Sequence, residues 1–341
     1  MVLNTLFGFM GKNLAMDLGT ANTLIYTPKN GIVLNEPSVV ALDSRTDNIV
    51  AVGKEAREFL GRTPDKIKAT RPLKDGVIAD FEVTKIMIAY FIKKVIQGLQ
   101  LVKPKIVICV PTGITQVEKR AVIESAQQAG SREVRLIEEP VAAAIGAKLP
   151  IDQPLGNMVV DIGGGTTEVA VISLSSVSYA ESVRVAGDEM NESIQRFIKN
   201  EYNMLIGEVA AENIKMQLSV LNKDSNDEKI KVTGKDIVKG TPHSIQLSVE
   251  QISSSINEPV NAIIHAVRQA LEKTPPELVT DIANNGLLLT GGGALLPGLD
   301  QLIRQESEIS VFIDDEPLTT VLRGTGEALK KEKHYKNVFI N

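Results

Sequence analysis

Met158-Val159-Val160-Asp161-Ile162-Gly163-Gly164-Gly165-Thr166-Thr167-Glu168-Val169-Ala170-Val171 is the stretch on which the reading of this chain turns. An apolar run ends on an aspartate, a glycine turn with two threonines follows, and a second apolar run leaves it. That pattern predicts strand, turn, strand. It also stands 144 residues earlier, in Leu14-Ala15-Met16-Asp17-Leu18-Gly19-Thr20-Ala21-Asn22-Thr23-Leu24-Ile25-Tyr26. Two similar units so far apart predict a duplicated fold of two lobes rather than a short-period solenoid. A third glycine turn, Thr290-Gly291-Gly292-Gly293-Ala294, follows the strand-like run Gly286-Leu287-Leu288-Leu289.

Glycine tolerates φ > 0 and carries no Cβ, so backbone N–H groups at such turns can close on an anion. Neighbouring Thr and Asn side chains add donors. Asp17 and Asp161 end the strands that enter the turns. A carboxylate facing a phosphate is repelled by it and suits Mg²⁺ instead, held through water. One Asp-x-Gly hairpin is a common turn and carries little weight alone. Two in duplicated units, with a third glycine turn near the C-terminus, point together to a phosphate site. There is no Gly-x-x-x-x-Gly-Lys-Ser/Thr, so the site is not a P-loop. No Gly-x-Gly-x-x-Gly follows the first strand, which disfavours a dinucleotide site.

The rest of the chain alternates helical and strand periods, as an α/β protein does. Residues 82–99 carry apolar groups at helical spacing, 105–110 is a strand-like run, and 117–129 reads as a helix stopped by Gly130. Glu139-Pro140 opens another helix, with proline at the tolerated first turn. Residues 187–220 are mostly helical in pattern. Residues 222–247 read as a polar loop and a small peripheral sheet, 251–273 as one amphipathic helix ended by Pro275-Pro276, and 297–305 as helical.

At 341 residues the chain is long enough for two lobes with separate cores. Its net charge of −5 argues against nucleic acid as the main partner, since phosphate contacts need a basic surface. The single cysteine, Cys109, lies in the apolar run 106–110 with no cationic neighbour in the local sequence. It reads as a buried structural thiol in a reducing compartment. No stretch approaches the ~20 apolar residues that span a bilayer. The start, Met1 to Met10, has no basic region and no small-residue cleavage site, so it does not read as a signal peptide.

These turns resemble those of the superfamily that joins actin, the heat-shock ATPases and the sugar kinases, in which two duplicated lobes close on ATP. The closer resemblance is to the MreB family of bacterial actins. Its motifs stand here as Asp17 to Thr23, Leu34-Asn35-Glu36-Pro37-Ser38-Val39-Val40-Ala41, Asp75-Gly76-Val77-Ile78-Ala79-Asp80-Phe81, Glu139-Pro140-Val141-Ala142-Ala143-Ala144-Ile145-Gly146 and Leu289-Thr290-Gly291-Gly292-Gly293-Ala294-Leu295-Leu296. The resemblance runs from about residue 12 to about residue 329. It implies an α/β actin-like fold: two ribonuclease-H-like lobes, four subdomains and an ATP cleft between the lobes. The implied parts are 1–32, 73–146 and 315–341 for subdomain IA, 33–72 for IB, 147–183 and 245–314 for IIA, and 184–244 for IIB.

It further implies ATP and Mg²⁺ as cofactors. Gly19, Thr20, Ala21 and Asn22 would form the first phosphate loop, and Gly163, Gly164, Gly165 and Thr166 the second. Gly291, Gly292, Gly293 and Ala294 would form the adenosine-binding turn. Gly187, Glu212 and Lys215 would add nucleotide contacts, and Asp17 and Asp161 would hold Mg²⁺ through water. Glu139 would position the attacking water, with Thr166 contacting it and the terminal phosphate. Read locally, Glu139 is only a helix-start carboxylate in a favourable dipole, and Glu212 with Lys215 only an exposed ion pair.

The implied function is an ATP-hydrolysing, filament-forming cytoskeletal protein that determines cell shape. It would lie in the cytoplasm on the inner face of the membrane. The implied partners are other copies of the chain, anionic lipids, and envelope-synthesis or membrane-anchored proteins. Three features suit a membrane: the apolar N-terminus with Leu3, Leu6, Phe7 and Phe9; Leu101-Val102, where the family carries an exposed hydrophobic loop; and the tail with Lys330, Lys331, Lys333 and Lys336. The tail reads equally as a solvated end. Rival readings are a small-molecule kinase, for which no segment clearly supplies an acceptor pocket, a chaperone lacking its substrate domain, and a scaffold that binds nucleotide without hydrolysis.

Overall fold

A computed structural model describes residues 13–62, 65–74, 76–96, 103–218 and 229–340. The chain opens on an antiparallel meander, β1 (Leu14–Leu18), β2 (Asn22–Thr27) and β3 (Gly31–Pro37). A small sheet follows, made of β4 (Val40–Asp43), β5 (Ile49–Val52) and β6 (Ile67–Thr70), with helix α1 (Lys54–Glu58) between the last two. The two-residue ladder of β7 (Leu73–Lys74) and β8 (Val77–Ile78) leads into α2 (Phe81–Val95), β9 (Lys105–Val110), α3 (Gln116–Gln128), β10 (Glu133–Glu138) and α4 (Glu139–Gly146).

The second half repeats the plan. It runs β11 (Asn157–Ile162), β12 (Thr167–Ser173), β13 (Ser176–Val183), α5 (Gly187–Tyr202), β14 (Met204–Leu205), α6 (Glu208–Leu218), β15 (Lys229–Asp236) and β16 (Pro242–Ser248). Then come α7 (Val249–Ser255), α8 (Asn257–Lys273), α9 (Pro276–Asn285), β17 (Leu287–Thr290), α10 (Leu299–Ser307), β18 (Val311–Ile313) and α11 (Thr320–Lys330).

The two large sheets have the orders β10-β9-β1-β2-β3 and β13-β12-β11-β17-β18. In each, three antiparallel strands are extended by two parallel ones on the side of the first strand. The duplication expected from the two Asp-x-Gly units is therefore present in the topology. β9 and β11 are buried along their whole length, as strands covered on both faces must be, and both are almost wholly apolar. Parallel strands end together, so Asp17 and Cys109 are register partners on β1 and β9, and Asp161 and Thr290 on β11 and β17.

Local chemistry sets the helix starts. Asp80 accepts from the Val83 N–H at 3.1 Å, and Thr115 forms a reciprocal capping box with Glu118. The single helix expected over 251–273 is two, α7 and α8, broken at Ile256; Ser248 and Gln251 form the capping box that starts the first. Pro275-Pro276 does not only stop a helix. Pro276 sits in the first turn of α9, where its missing N–H costs nothing, and that helix was not expected.

α4 and α11 pack against each other through paired glycines. A Cβ on Gly324 would lie 1.7 Å from the Ala142 carbonyl oxygen, and one on Gly146 would lie 2.0 Å from that of Thr320. Backbone meets backbone here, so neither side can yield. α11 then runs into the C-terminal segment, which lies along the edge strand β10. Phe339 bridges Ile137, and the Ile340 N–H donates to the Leu136 carbonyl at 3.0 Å. Glu332 pairs with Lys105 and Arg135, and the Arg135 guanidinium lies 5.3 Å from the centre of the Phe339 ring. The alternative of a solvated tail is thereby corrected over residues 331–340. The segment covers an edge that would otherwise offer unpaired N–H and C=O groups.

Gly324→Ala is expected to destabilise the protein by about 3 kcal/mol, at the upper end for overpacking. Urea denaturation of the full chain, compared with Gly207→Ala as the open-space control, measures it.

Candidate functional site

The first glycine turn, between β1 and β2, is held by the segment that follows β3. The Ser38 hydroxyl donates to the Gly19 carbonyl at 2.6 Å, and the Ser38 N–H donates to that of Ala21 at 3.0 Å. The second turn, between β11 and β12, closes on itself through Gly163 N–H to the Thr166 carbonyl at 2.9 Å. It also anchors the start of α5: the N–H groups of Gly187 and Asp188 donate to the carbonyls of Gly163 and Gly164 at 3.2 and 2.7 Å. The two turns touch, since a Cβ on Gly164 would lie 2.9 Å from that of Ala21. The third turn lies against the second. Gly291 adopts φ 80°, and a Cβ there would meet Asp161 Oδ1 at 2.4 Å. Three turns scattered over the sequence thus meet at one place, with Gly19, Thr20, Ala21, Asn22, Gly163, Gly164, Gly165, Thr166, Gly291, Gly292, Gly293 and Ala294 around it. Gly76 of the first lobe lies against Thr166, where its own Cβ would meet Cγ2 at 2.6 Å.

Below the turns four carboxylates converge: Asp17, Glu139, Asp161 and Glu168. Desolvation by burial pushes Asp17 up to about 6, against a hydrogen bond from Cys109 that lowers it. Asp161 rises to about 7, first by burial and then by repulsion from Asp17 and Glu168. Glu139 is pushed well above the usual carboxylate range by burial, and further by Glu168, Asp17 and Asp161. No cation appears among the causes of these three shifts. The donor set is all hard oxygen, apart from the Cys109 sulfur, whose atom lies within 4.8 Å of Asp17 and Glu139 carboxylate oxygens. Such a set fits Mg²⁺, which takes carboxylates and water.

Glu168 was not anticipated. Its Oε2 accepts from the Thr112 N–H of the first lobe at 2.9 Å and its Oε1 from the Ser182 hydroxyl at 2.6 Å, so it stitches the lobes together. The available signal was a carboxylate at a fully buried position in an apolar strand. Cys109, read as a structural thiol, is buried as expected but stands beside Asp17 at the floor of the site.

On the outer side, Lys215 Nζ donates to the Gly187 carbonyl at 2.6 Å, so these two expected contacts are joined directly. Burial lowers the Lys215 pKa. Glu212 points instead at Arg57 of α1, at 2.5 Å, and Glu208 at Arg71, at 2.7 Å. Both ion pairs cross from the first lobe to α6 over a cavity of about 800 Å³ whose walls include Asn22, Lys54, Gly207 and Asn213. Local sequence could not reveal them, because their partners are more than a hundred residues apart. A volume of this size suits a nucleotide-sized ligand.

Of the expected membrane residues, Leu3, Leu6, Phe7, Phe9, Leu101 and Val102 lie outside the described residues. Lys330 stands 5.1 Å from the Tyr26 ring centre and Lys331 pairs with Glu327 at 2.8 Å, while Lys333 and Lys336 are exposed. Among the described residues no helix is long and apolar enough to cross a membrane.

The family model for MreB/Mbl protein matches residues 11–337. Cell shape-determining protein MreB of Escherichia coli (strain K12) is 51% identical over 330 residues, which cover 95% of this chain and 94% of that protein. Cell shape-determining protein Mbl of Bacillus subtilis (strain 168) is 49% identical over 319 residues, covering 93% and 96%. MreB5 of Spiroplasma citri, solved bound to ADP, superposes with a TM-score of 0.88 at 34% identity, over 95% of this chain and 97% of that one. A match of this length, running through all three glycine turns and both lobes, makes the chain a member of the MreB/Mbl family with its actin-like fold.

Proposed function

We propose that this chain is an ATP-hydrolysing, filament-forming cytoskeletal protein that determines cell shape from the cytoplasmic face of the membrane. The observation that carries the reading is the convergence of three glycine turns over four carboxylates between two duplicated lobes. It is supported by relatives named for cell-shape determination and by MreB5 of Spiroplasma citri, solved with ADP and with AMPPNP.

In this reading the turns cradle phosphates through backbone N–H groups, and Gly187, Lys215 and the turn at 291–294 contact the nucleoside. Asp17 and Asp161 hold Mg²⁺ through water, and the ion, when bound, supplies the positive charge that the cluster lacks. Glu139, at the start of α4, orients water toward the terminal phosphate, with Thr166 beside it. Phosphoryl transfer asks mainly for positioning and charge stabilisation, which fixed turns on two rigid sheets provide. The four-part division with IB at 33–72 and IIB at 184–244 belongs to the same reading. It is supported by the separate small sheets β5-β4-β6 and β14-β15-β16.

Self-association is supported by apolar side chains that the described fold leaves in water. Phe312 on the edge strand β18 is 56% exposed, and Leu318 is 58% exposed. Val238, beside the turn after β15, is 83% exposed. Membrane attachment through anionic lipids would use the apolar N-terminus, Leu101-Val102 and the exposed Lys333 and Lys336. Each weak anchor would be multiplied along a polymer.

Glu139→Gln is expected to keep nucleotide binding and to slow phosphate release by at least about 100-fold, the scale of a lost general base. Pelleting with Mg-ATP, with phosphate release followed in parallel, checks this; unchanged release would remove Glu139 from the chemistry. Leu318→Glu and Val238→Glu should abolish pelleting while nucleotide binding persists. The ion pairs over the cavity give a third expectation. Arg57→Ala and Glu212→Ala should each speed release of a fluorescent ADP analogue, and the double variant should be no faster than the quicker single one. Strict additivity in the cycle would show that the pair does not act as one clasp.

A further inference from the structure

Cys109 is a strongly buried thiol at the cleft floor that the reading above leaves without work. It ends β9 as Asp17 ends β1, and the two are register partners on adjacent parallel strands. Neighbouring residues at one register level face the same way, so their side chains lie side by side. Sγ is 3.3 Å from Asp17 Oδ1 and 3.5 Å from the Met16 carbonyl oxygen. At 1% exposure the thiol is shut off from water. An ordinary thiol is protonated at neutral pH, and this one lies against a carboxylate oxygen, so it stands there as an S–H donor and not as a nucleophile. Among the described residues, this thiol is the side-chain donor to the Asp17 carboxylate.

We infer that Cys109 is a positioning residue: its S–H holds the Asp17 carboxylate in the rotamer that receives the hydrated divalent cation of the bound nucleotide. This rests on the metal–nucleotide site proposed above. The physical reason is that a carboxylate binding a cation through water must present a fixed oxygen. A carboxylate among three others, with no donor to orient it, is driven to rotate away from them. A thiol is a weak donor, but within a desolvated floor it is the group within reach. It is also compact and neutral, so it orients the carboxylate without competing as a charge.

Two measurements test this, and one needs neither metal nor nucleotide. The chain has a single cysteine, so its S–H stretching band in the infrared reports this site alone. In the nucleotide-free protein, Asp17→Ala should shift that band to the position of a more weakly hydrogen-bonded thiol. An unmoved band would show that the thiol donates to the Met16 carbonyl, and the inference falls. The second measurement is a Mg²⁺ titration of fluorescent ATP-analogue binding in wild type, Cys109→Ser and Cys109→Val. Val fills the space without a donor, and Ser keeps a donor. The half-saturating Mg²⁺ concentration should rise about tenfold in Cys109→Val, the low end of the loss expected when the hydrogen-bond partner of a metal-binding group is removed, and stay near wild type in Cys109→Ser. Equal shifts in both variants, tracking their melting temperatures, would mean packing alone and overturn the inference. If wild type itself shows no Mg²⁺-dependent binding, the metal–nucleotide reading fails and this inference with it. A wild type that titrates normally beside an unaffected Cys109→Val removes only the role of the thiol.

Discussion

The desolvation of four carboxylates is the constraint on which this structure turns. Asp17, Glu139, Asp161 and Glu168 come from both lobes and are pressed into one cleft, where burial raises the cost of each charge and repulsion from neighbouring carboxylates adds to it at Glu139 and Asp161. A protein that placed them together with nothing further to gain would lower its energy by opening. The surrounding architecture prevents this. Asp17 and Asp161 end fully paired central strands, Glu139 is fixed at the start of a helix packed on α11, and Glu168 is tied by donors from each lobe. The fold holds the four carboxylates together, and the Mg²⁺ proposed above would supply charge of the opposite sign, so its binding would stabilise this arrangement.

The crossing of α4 and α11, where Gly146 and Gly324 bring two backbones into contact, fixes the helix that begins with Glu139, the residue proposed to position water. Two arginine–glutamate bridges run from the first lobe to α6. They are partly solvated and individually weak. Lys215 on the same helix reaches the Gly187 carbonyl, beside the second glycine turn.

The C-terminal segment shows how one stretch can serve two ends. Its lysines suggested a membrane contact, yet Glu332 and Phe339 bind it to β9 and the edge strand β10 through Lys105 and Arg135. Two lysines are engaged within the chain and two face outward. Lys333 and Lys336, proposed to meet lipid, are thus displayed from an edge of the first lobe.

Much of this was legible in the chain itself. The repeated Asp-x-Gly units, the apolar runs of β9 and β11 and the third glycine turn determined the duplicated α/β plan, because strand period and turn chemistry are local properties. The roles proposed for Glu139 and Thr166 rest on resemblance, since locally a glutamate before proline is a helix start and nothing more. The split between α7 and α8, and the helix beginning at Pro276, escaped because capping and proline placement shift boundaries without changing the apolar pattern. What only the tertiary structure decided were the meetings: Cys109 beside Asp17, Glu168 between Thr112 and Ser182, Arg57 on Glu212, and Gly146 against Gly324. Each joins residues that are distant in sequence or lie on different strands. Their energies depend on burial and register, which exist only once the sheets have formed.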